Sequence, residues 1–353
     1  MDPRGGVSMS ERADTDLPGL PLDRLAAWLS TTLPGLCGGP LRGRVIAGGR
    51  SNLTYAVSDG TSEWIVRRPP LGHVLATAHD MGREFRVMSA LAVTEVPVPA
   101  TYAVCTDSEV LGAPFYVMEY VAGTPFRSAD ELAALGADRT RAISVGMVDA
   151  LAALHCVDPA TVGLADFGHP RGFLERQVHR WKKQLDASYC RELPAAVELF
   201  ELLAARRPEQ SPDGIVHGDY RLDNILVDSA DRVAAIIDWE MATLGDPLTD
   251  VALLLLYQRL GVDGMPGVSA VALAPGFLTE DELLDRYAVK SGRDLADLGF
   301  YLGLAAFKLA AILEGIHYRY LRGKTVGPGF ENIGGAVEPM LATGIAAVKE
   351  NNR

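Results

Sequence analysis

The sequence lacks the cysteine pattern of a zinc-binding, redox-active or disulfide-rich protein. Its 353 residues include four cysteines, and no two of them have the spacing of a zinc or redox pair. Four cysteines in a chain of this length do not indicate a disulfide framework. A reducing, cytoplasmic location is therefore the expectation from cysteine content.

Positive charge and long apolar stretches are also scarce. The net charge is -12, which argues against binding to nucleic acid or to an anionic membrane. The N-terminus has no basic region followed by an apolar run, so no signal peptide is expected. The longest mostly apolar stretch, residues 302–316, contains Lys308 and Glu314. It is too short and too charged for a membrane span, and it predicts a buried helix instead.

The succession of predicted elements indicates an α+β fold with two lobes. Residues 1–19 are polar and rich in Gly, Asp and Pro, which predicts a flexible N-terminal arm. Residues 20–121 predict a small antiparallel β-sheet that carries one helix, near residues 80–92. Residues 122–353 predict a larger, mainly helical lobe with a β-rich island at residues 215–237. A hydrophobic content of 48% supplies ample material for the cores of both lobes.

Two motifs in the β-rich island carry the chemistry. His-Gly-Asp-Tyr-Arg-Leu-Asp-Asn occupies residues 217–224, and Ile-Asp-Trp-Glu occupies residues 237–240. A loop carboxylate can orient and deprotonate a hydroxyl, and an amide five residues later can return to the same cleft as a metal ligand. A second carboxylate on a neighbouring strand can bind the same ion, and magnesium prefers such oxygen ligands. The alternative is two polar turns beside a β-ribbon.

This pair of motifs resembles the aminoglycoside phosphotransferase and choline kinase families, which are relatives of the protein kinases. The resemblance implies a protein-kinase-like two-lobe fold and the transfer of phosphate from ATP, with Mg²⁺, to a small-molecule hydroxyl acceptor. It implies that Asp219 is the catalytic base and that Asn224 and Asp238 are the magnesium ligands. Arg221 would offset charge on the transferred phosphate. A structural surface arginine is the alternative for this residue.

The same resemblance assigns nucleotide-binding residues in the small lobe. The loop between the first two strands would cover the phosphates with Gly49, Ser51 and Asn52, although it lacks the full Gly-x-Gly-x-x-Gly pattern and a plain hairpin turn is the alternative. Trp-Ile-Val-Arg aligns with the third kinase strand, so Arg67 would bind the ATP phosphates where protein kinases use lysine. Arg68 is the alternative, since adjacent strand residues face opposite ways.

The small lobe's helix should supply a carboxylate to pair with that cation, and Glu84 is the candidate. Its alternative is a solvated helix charge. Glu119 and Val121 end the last strand of the lobe, where backbone groups would bind adenine. Together these residues complete the predicted ATP site.

Several further polar residues are predicted to have structural roles. Asp246 and Asp250 should support the catalytic loop, with Asp246 as a helix N-cap before Pro247. His155 is expected to be a packed or capping histidine, and His217 is expected to support the loop backbone. The Asp-Phe-Gly at residues 166–168 spells the kinase metal motif, but it precedes the catalytic loop and is assigned to a turn.

The acceptor is the least determined part of the prediction. Residues 177–184 and 317–324 are basic and aromatic, and the chain looks most like the phosphotransferase domains linked to acyl-CoA dehydrogenases. This resemblance implies a hydroxyacyl or hydroxyacyl-CoA acceptor, whereas solvated helix faces are the alternative for both segments. A true aminoglycoside kinase and a ligand-binding module without turnover also stay open. The short distance from Asp238 to the next helix leaves no room for the long activation loop of a protein kinase.

Overall fold

The computed structural model describes residues 17–46, 52–72, 80–209, 211–265, 268–325 and 330–350. The chain forms two compact units. One contains Met1–Ser89 and Pro99–Val121, and the other contains Ala90–Val98 and Ala122–Arg353. A small antiparallel sheet and a high helix content confirm the predicted α+β class.

The first unit is built on a small antiparallel sheet. Its strands are β1 (Arg42–Val45), β2 (Leu53–Ser58), β3 (Glu63–Arg68), β4 (Thr101–Cys105) and β5 (Phe115–Glu119). Over the described residues they form one five-stranded sheet in the order β1-β2-β3-β5-β4. The helices that accompany it are α1 (Leu22–Thr32), α2 (Met81–Leu91) and α3 (Ser108–Leu111).

The core of the first unit covers one face of this sheet. Tyr55 and Val57 of β2 lie opposite Val66 and Trp64 of β3, and all four side chains are buried in one cluster with leucines of α1. Alternate residues of a strand point to the same face, which is why every second residue joins the core. The sequence pattern of β2 and β3 therefore determines which side chains join this cluster.

The start of the first unit corrects the predicted limit of the N-terminal arm. Residues 1–16 of that arm lie outside the described residues. Leu17 and Leu20 pair in an isolated bridge and are 7% and 0% exposed. The hydroxyl of Tyr55 donates to the carbonyl oxygen of Pro18 at 2.5 Å. Residues 17–19 are therefore part of the packed unit, because apolar contacts and backbone hydrogen bonds hold them.

The second unit is mainly helical. Its helices are α4 (Ala129–Ala133), α5 (Ala137–Cys156), α6 (Phe173–Ala187), α7 (Pro194–Ala205), α8 (Leu248–Val262), α9 (Glu280–Ser291), α10 (Leu298–Leu321) and α11 (Val337–Glu350). Its strands are β6 (Gly214–Val216), β7 (Ile225–Val227), β8 (Val233–Ile236) and β9 (Thr243–Gly245). β6 pairs with β9 and β7 pairs with β8, both antiparallel. The sequence did not predict β9, because its three residues become a strand only through pairing with distant β6.

Helix α10 differs in length from its prediction. The sequence predicts a helix over residues 295–317, whereas α10 extends to Leu321 and contains 24 residues. It is long and apolar enough to cross a membrane by length and composition, but 78% of its apolar window is buried inside the protein. The apolar stretch of residues 302–316 is therefore one part of a longer helix, and its expected burial is confirmed.

Candidate active site

The catalytic loop, residues 217–224, connects β6 to β7, and a buried carboxylate of α8 holds its beginning. Asp250 Oδ2 accepts the backbone N–H of His217 at 2.6 Å, and Oδ1 accepts that of Gly218 at 2.8 Å. Gly218 has φ +85°, and a Cβ there would lie 2.8 Å from the backbone oxygen of Met241. Glycine is therefore required before the candidate base, and the predicted supporting role of Asp250 is confirmed.

A histidine and a tyrosine complete the buried support. His155 lies between the hydroxyl of Tyr287, 2.7 Å from Nδ1, and Asp250, 3.3 Å from Nε2. Burial lowers the pKa of His155, and the hydrogen bond to Asp250 opposes this only in part. Burial alone would raise the pKa of Asp250, but hydrogen bonds from His155 and from the Gly218 N–H hold it below its ordinary value. The pair is therefore a neutral imidazole beside a charged carboxylate.

Asp219, the predicted base, is held by neutral donors on both carboxylate oxygens. The side-chain amide of Asn224 donates to Asp219 Oδ2 at 3.1 Å and to its backbone oxygen at 2.9 Å. The hydroxyl of Tyr257 on α8 donates to Oδ1 at 3.2 Å. Burial raises the pKa of Tyr257 far above its ordinary value, and the charge of Asp219 adds to this effect. Tyr257 therefore stays a hydrogen-bond donor throughout the physiological pH range.

The two predicted magnesium ligands lie at the same end of the β7–β8 ladder. The backbone N–H of Ile237 donates to the backbone oxygen of Asn224 at 2.9 Å, which places Asp238 one residue from this contact. His217 supports the arrangement, since its Nε2–H donates to the Ile237 oxygen at 3.0 Å and its Nδ1 accepts the Asp219 N–H at 3.3 Å. The expectation that His217 supports the loop backbone is confirmed.

The donor set and backbone at this end are compatible with Mg²⁺. One amide and one carboxylate are oxygen donors of the kind that Mg²⁺ accepts, with water and phosphate oxygens as the remaining ligands. Asp238 has φ +67°, a left-handed conformation that a non-glycine residue adopts at a cost of about 1–3 kcal/mol. In the described part of the chain no group of three or more His, Cys, Asp or Glu side chains forms a metal site. A site completed by the nucleotide's own phosphates fits these residues better than an all-protein one.

Arg221, the second predicted catalytic residue, is already engaged. It forms an ion pair with Asp223, in which Nε donates to Oδ1 at 2.8 Å. Its guanidinium also lies over the ring of Tyr257, 5.0 Å from the centroid. Its predicted action on the transferred phosphate stays a prediction, and Arg221 would need to release part of this contact to perform it.

In the first unit, the predicted cation and carboxylate form an ion pair. Arg67 Nε lies 3.0 Å from Glu84 Oε2, and both side chains are buried. The hydroxyl of Tyr116 donates to Oε2 at 2.9 Å, and the amide of Asn52 donates to Oε1 at 3.1 Å. The pairing of Arg67 with Glu84 is confirmed, whereas its contact with ATP stays a prediction.

The other residues predicted to bind the nucleotide have different outcomes. Gly49 and Ser51 lie outside the described residues. Arg68, the alternative to Arg67, donates to the backbone oxygens of Gly19 at 2.6 Å and Leu111 at 2.7 Å, so it links β3 to the segment before α1 and to α3. The two arginines thus differ in their partners, a carboxylate for Arg67 and backbone oxygens for Arg68, and the choice of Arg67 as the phosphate-binding cation stays a prediction.

The predicted hinge residues occupy the end of the first unit. Glu119 ends β5, and its Oε2 accepts the backbone N–H of Ala100 at 3.0 Å. Val121 is the last residue of the unit. The adenine-binding role of both residues stays a prediction.

A cavity of about 70 Å³ adjoins the catalytic loop. It lies within the second unit, between α6, α8, α10 and the segment after Asp238. Its polar lining residues are Gln177, Arg180, Gly218, Thr243, Thr249, Asp250, Tyr301 and Lys308. Apolar walls with a few polar groups are typical of small-molecule sites.

Comparison with known proteins identifies the family. Residues 42–288 match the phosphotransferase enzyme family named APH. That match covers more than half of the chain. The chain belongs to this phosphotransferase family.

The relatives agree with this membership. The crystal structure of a candidate aminoglycoside phosphotransferase from Ralstonia eutropha is 33% identical, with a TM-score of 0.82, over 93% of this chain and 98% of that one. Mouse acyl-CoA dehydrogenase family member 10 is 34% identical over 91% of this chain. The chain spans only 30% of that relative's length. The resemblance to aminoglycoside phosphotransferases and choline kinases is confirmed, and small-molecule phosphotransfer is the general class of reaction.

A more distant structure supports the fold alone. The aminoglycoside phosphotransferase APH(4)-Ia, crystallised with ADP and hygromycin B, is 17% identical, with a TM-score of 0.55, over 86% of this chain and 93% of that one. With the two units described above, this confirms the predicted protein-kinase-like two-lobe fold.

Tyr257 and Lys308 are the functional-site residues of this phosphotransferase that sequence reasoning missed. Lys308 donates to the backbone oxygen of Gly218 at 2.8 Å, next to the predicted base. A signal for it existed, because a lysine inside an apolar helix must have a buried partner or face a cavity. Tyr257 had no such signal, since one tyrosine in an apolar helix is an ordinary core residue.

The structure also tests three predictions of structural roles. The Asp-Phe-Gly at residues 166–168 lies in a turn, as predicted, with Phe167 buried. His155 is buried, as predicted. Pro247, the residue before α8, has helical backbone angles and makes no side-chain cap. Asp246 Oδ1 accepts the Leu248 N–H at 3.1 Å, so Asp246 caps the first turn of the helix as predicted.

Proposed function

We propose that the protein is an ATP- and Mg²⁺-dependent small-molecule kinase that transfers the γ-phosphate of ATP to an acceptor hydroxyl. The observation that carries this proposal is the arrangement around Asp219. Its two carboxylate oxygens are oriented by Asn224 and Tyr257, and no residue in the described ranges forms an ion pair with it. A half-buried carboxylate without a paired cation is suited to accept a proton.

The proposed reaction follows from these contacts. Asp219 accepts the proton of the acceptor hydroxyl as the hydroxyl oxygen forms a bond to the γ-phosphorus. The bond from that phosphorus to the bridging oxygen of ADP breaks, and ADP leaves with the electron pair. Asn224 and Asp238 would hold Mg²⁺, whose charge offsets that of the phosphate oxygens when it is bound. Asp250 keeps the loop backbone in place throughout, because both of its oxygens accept loop N–H groups.

The acceptor that we propose is a hydroxyacyl group, free or as its CoA thioester. The mouse relative carries the name of an acyl-CoA dehydrogenase family member, which supports an acyl substrate. Basic and aromatic residues of α6 and of the end of α10 support an anionic one: Arg180 lies over the ring of Trp181 at 5.3 Å, and Arg322 lies over that of Tyr318 at 4.3 Å.

Magnesium-dependent ADP release tests this proposal. Purified protein would be assayed with hydroxyacyl-CoAs, free hydroxy acids, choline-like alcohols and aminoglycosides. Asp219→Ala would be assayed beside the wild type, with Asp263→Ala, an exposed aspartate at the end of α8, as the matched control. We expect acceptor-dependent turnover with hydroxyacyl compounds that Asp219→Ala abolishes and Asp263→Ala retains.

The other outcomes identify the alternatives. Selective turnover of an aminoglycoside would establish an aminoglycoside kinase and contradict the acyl acceptor. Tight ATP binding without turnover of any acceptor would support a binding module instead.

A further inference from the structure

Lys308 is a cation in the cavity that adjoins the catalytic loop, and neither the family's motifs nor the predicted reaction gives it a role. It lies on α10, is half-buried and lines the cavity beside the catalytic loop. One N–H of its ammonium group donates to the Gly218 oxygen at 2.8 Å. An ammonium group has three N–H donors, and the described residues offer this one no ion pair and no second hydrogen bond. Hydrogen-bonding capacity therefore remains for a ligand.

Two negative charges and an aromatic ring act on the ammonium group of Lys308. Burial lowers the pKa of its ammonium, whereas the negative charges of Asp219 and Asp250 act in the opposite direction. The ammonium also lies 5.7 Å from the ring centroid of Trp181, a distance at which an aromatic face stabilises a cation. The cavity thus contains a positive charge that no side-chain carboxylate of the described residues neutralises by direct contact.

A second cation borders the same cavity. Arg180 of α6 is exposed, lines the cavity and lies 5.3 Å from the ring centroid of the same indole, Trp181. The one carboxylate in the lining, Asp250, is buried, and backbone N–H groups occupy both of its oxygens. The cavity therefore presents positive charge at an exposed and at a half-buried position.

Arg221 and Lys308 lie at the same loop, but within the described part of the chain only Arg221 forms an ion pair. The sequence assigned the cation near the reacting phosphate to Arg221, but this residue is paired with Asp223. Lys308 comes from a different helix and contacts the residue just before the predicted base. An ion-paired arginine and an unpaired lysine thus lie at the same loop, and the unpaired one lines the cavity.

We propose that Lys308, with Arg180, forms an oxyanion subsite that binds a carboxylate of the acceptor beside the hydroxyl to be phosphorylated. This inference rests on the proposed kinase function and adds the charge class of the acceptor and the residues that select it. A volume of about 70 Å³ holds roughly five waters, at 10–15 Å³ each, or one carboxylate with a short chain. A polycationic acceptor would place like charge beside Lys308 and is rejected.

Equilibrium binding tests the subsite without requiring turnover. Ligand-observed NMR would measure the affinity of 4-hydroxybutyrate, of the amino alcohol 4-aminobutanol and of inorganic phosphate, each in the absence of nucleotide. The variants are Lys308→Met, Lys308→Arg and Arg180→Gln. Lys290→Met, on α9 and outside the cavity, is the matched control.

The expected result is binding of the hydroxy carboxylate, with no binding of the amino alcohol. Lys308→Met should lower the affinity for the carboxylate about ten- to a hundredfold, because it removes a hydrogen bond to a charged group. Lys308→Arg should recover most of the lost affinity. Arg180→Gln is at an exposed position where folding is not at risk, and it should lower the affinity about threefold. Lys290→Met should bind as the wild type does.

Three results would overturn the subsite. The first is that the wild type does not bind the carboxylate. The second is that Lys308→Met and Arg180→Gln both bind it as tightly as the wild type does. The third is that phosphate alone binds, and that its binding depends on Lys308. Failure of the kinase proposal is a separate outcome. The carboxylate could bind in a way that depends on Lys308 while the same compound causes no ADP release from Mg²⁺-ATP. That result would support the subsite and contradict the kinase reaction.

Discussion

Two carboxylates show how the two units use the same chemical group differently. Glu84 of the first unit is 1% exposed and is surrounded by a guanidinium group and two neutral donors. Asp219 of the second unit is half-buried and accepts hydrogen bonds only from neutral donors. Both are well ordered by their partners, but only Glu84 has its charge compensated by direct contact.

The difference separates a structural carboxylate from a chemically competent one. A buried carboxylate that faces a cation is held in its charged form, and breaking such a pair is strongly destabilising. A carboxylate oriented by an amide and a hydroxyl keeps a negative charge that an incoming hydroxyl proton can neutralise. Equivalent substitutions in the two clusters should therefore change different measured quantities.

The largest effect is expected at Asp219. Asp219→Asn preserves the shape of the side chain but removes its capacity to accept a proton, so kcat should fall about 10²- to 10⁴-fold. The free energy of unfolding should change by less than about 1 kcal/mol, because Asp219 forms no ion pair with the described residues that the substitution would break. ADP-release kinetics and urea unfolding measure the two quantities. A variant with the wild-type kcat would contradict Asp219 as the base.

The matching change in the first unit is Glu84→Gln. It leaves Arg67 buried without its counter-charge, so we expect a loss of about 3 kcal/mol in the free energy of unfolding. Urea unfolding measures this loss, and Glu109→Gln, exposed on α3, is the control. Unchanged stability of Glu84→Gln would show that the pair is not structural and would remove the contrast with Asp219.

A smaller effect is expected from acid on the support of the catalytic loop. The pKa of His155 is lowered in the folded protein, whereas the unfolded chain binds this proton near pH 6.5. The unfolded state therefore binds more protons below that pH. The contribution of His155 to stability is complete above about pH 6.5 and is lost as the pH falls, by at most about 1.4 kcal/mol per pH unit.

Urea unfolding at pH 7.5 and pH 5.5 tests this dependence. His155→Gln should show a smaller difference between the two pH values than the wild type, whereas the exposed-site variant His179→Gln should keep the wild-type difference. Equal differences in all three proteins would show that His155 does not titrate in this window.

The smallest effect is expected at Tyr257. Tyr257→Phe removes one neutral donor from Asp219 and keeps the ring packed, so kcat should fall about three- to tenfold, as for the loss of one ordinary hydrogen bond. The KM values for ATP and acceptor should change little, because the hydroxyl orients the base rather than binding substrate. Steady-state kinetics would measure the change. A higher KM with an unchanged kcat would assign Tyr257 to acceptor binding instead.

The sequence predicted the elements with strong local patterns. The sheet strands of the first unit, the long helices of the second and the two motifs of the β-rich island all depend on residues near one another in the chain. Strand β9 and the packing of Leu17 were missed. Each of these depends on a partner distant in sequence, such as β6 for β9.

The sequence by itself determined the family and the two-lobe fold, and it named Asp219, Asn224 and Asp238 as candidate site residues, because a motif of fixed spacing brings its residues together within one loop and one ladder. The tertiary structure decided which partners Arg67 and Arg68 have, since the opposite faces of β3 meet different groups. It also decided which residues surround the base. Tyr257 and Lys308 come from α8 and α10, and only the packing of these helices against the loop brings their side chains to it.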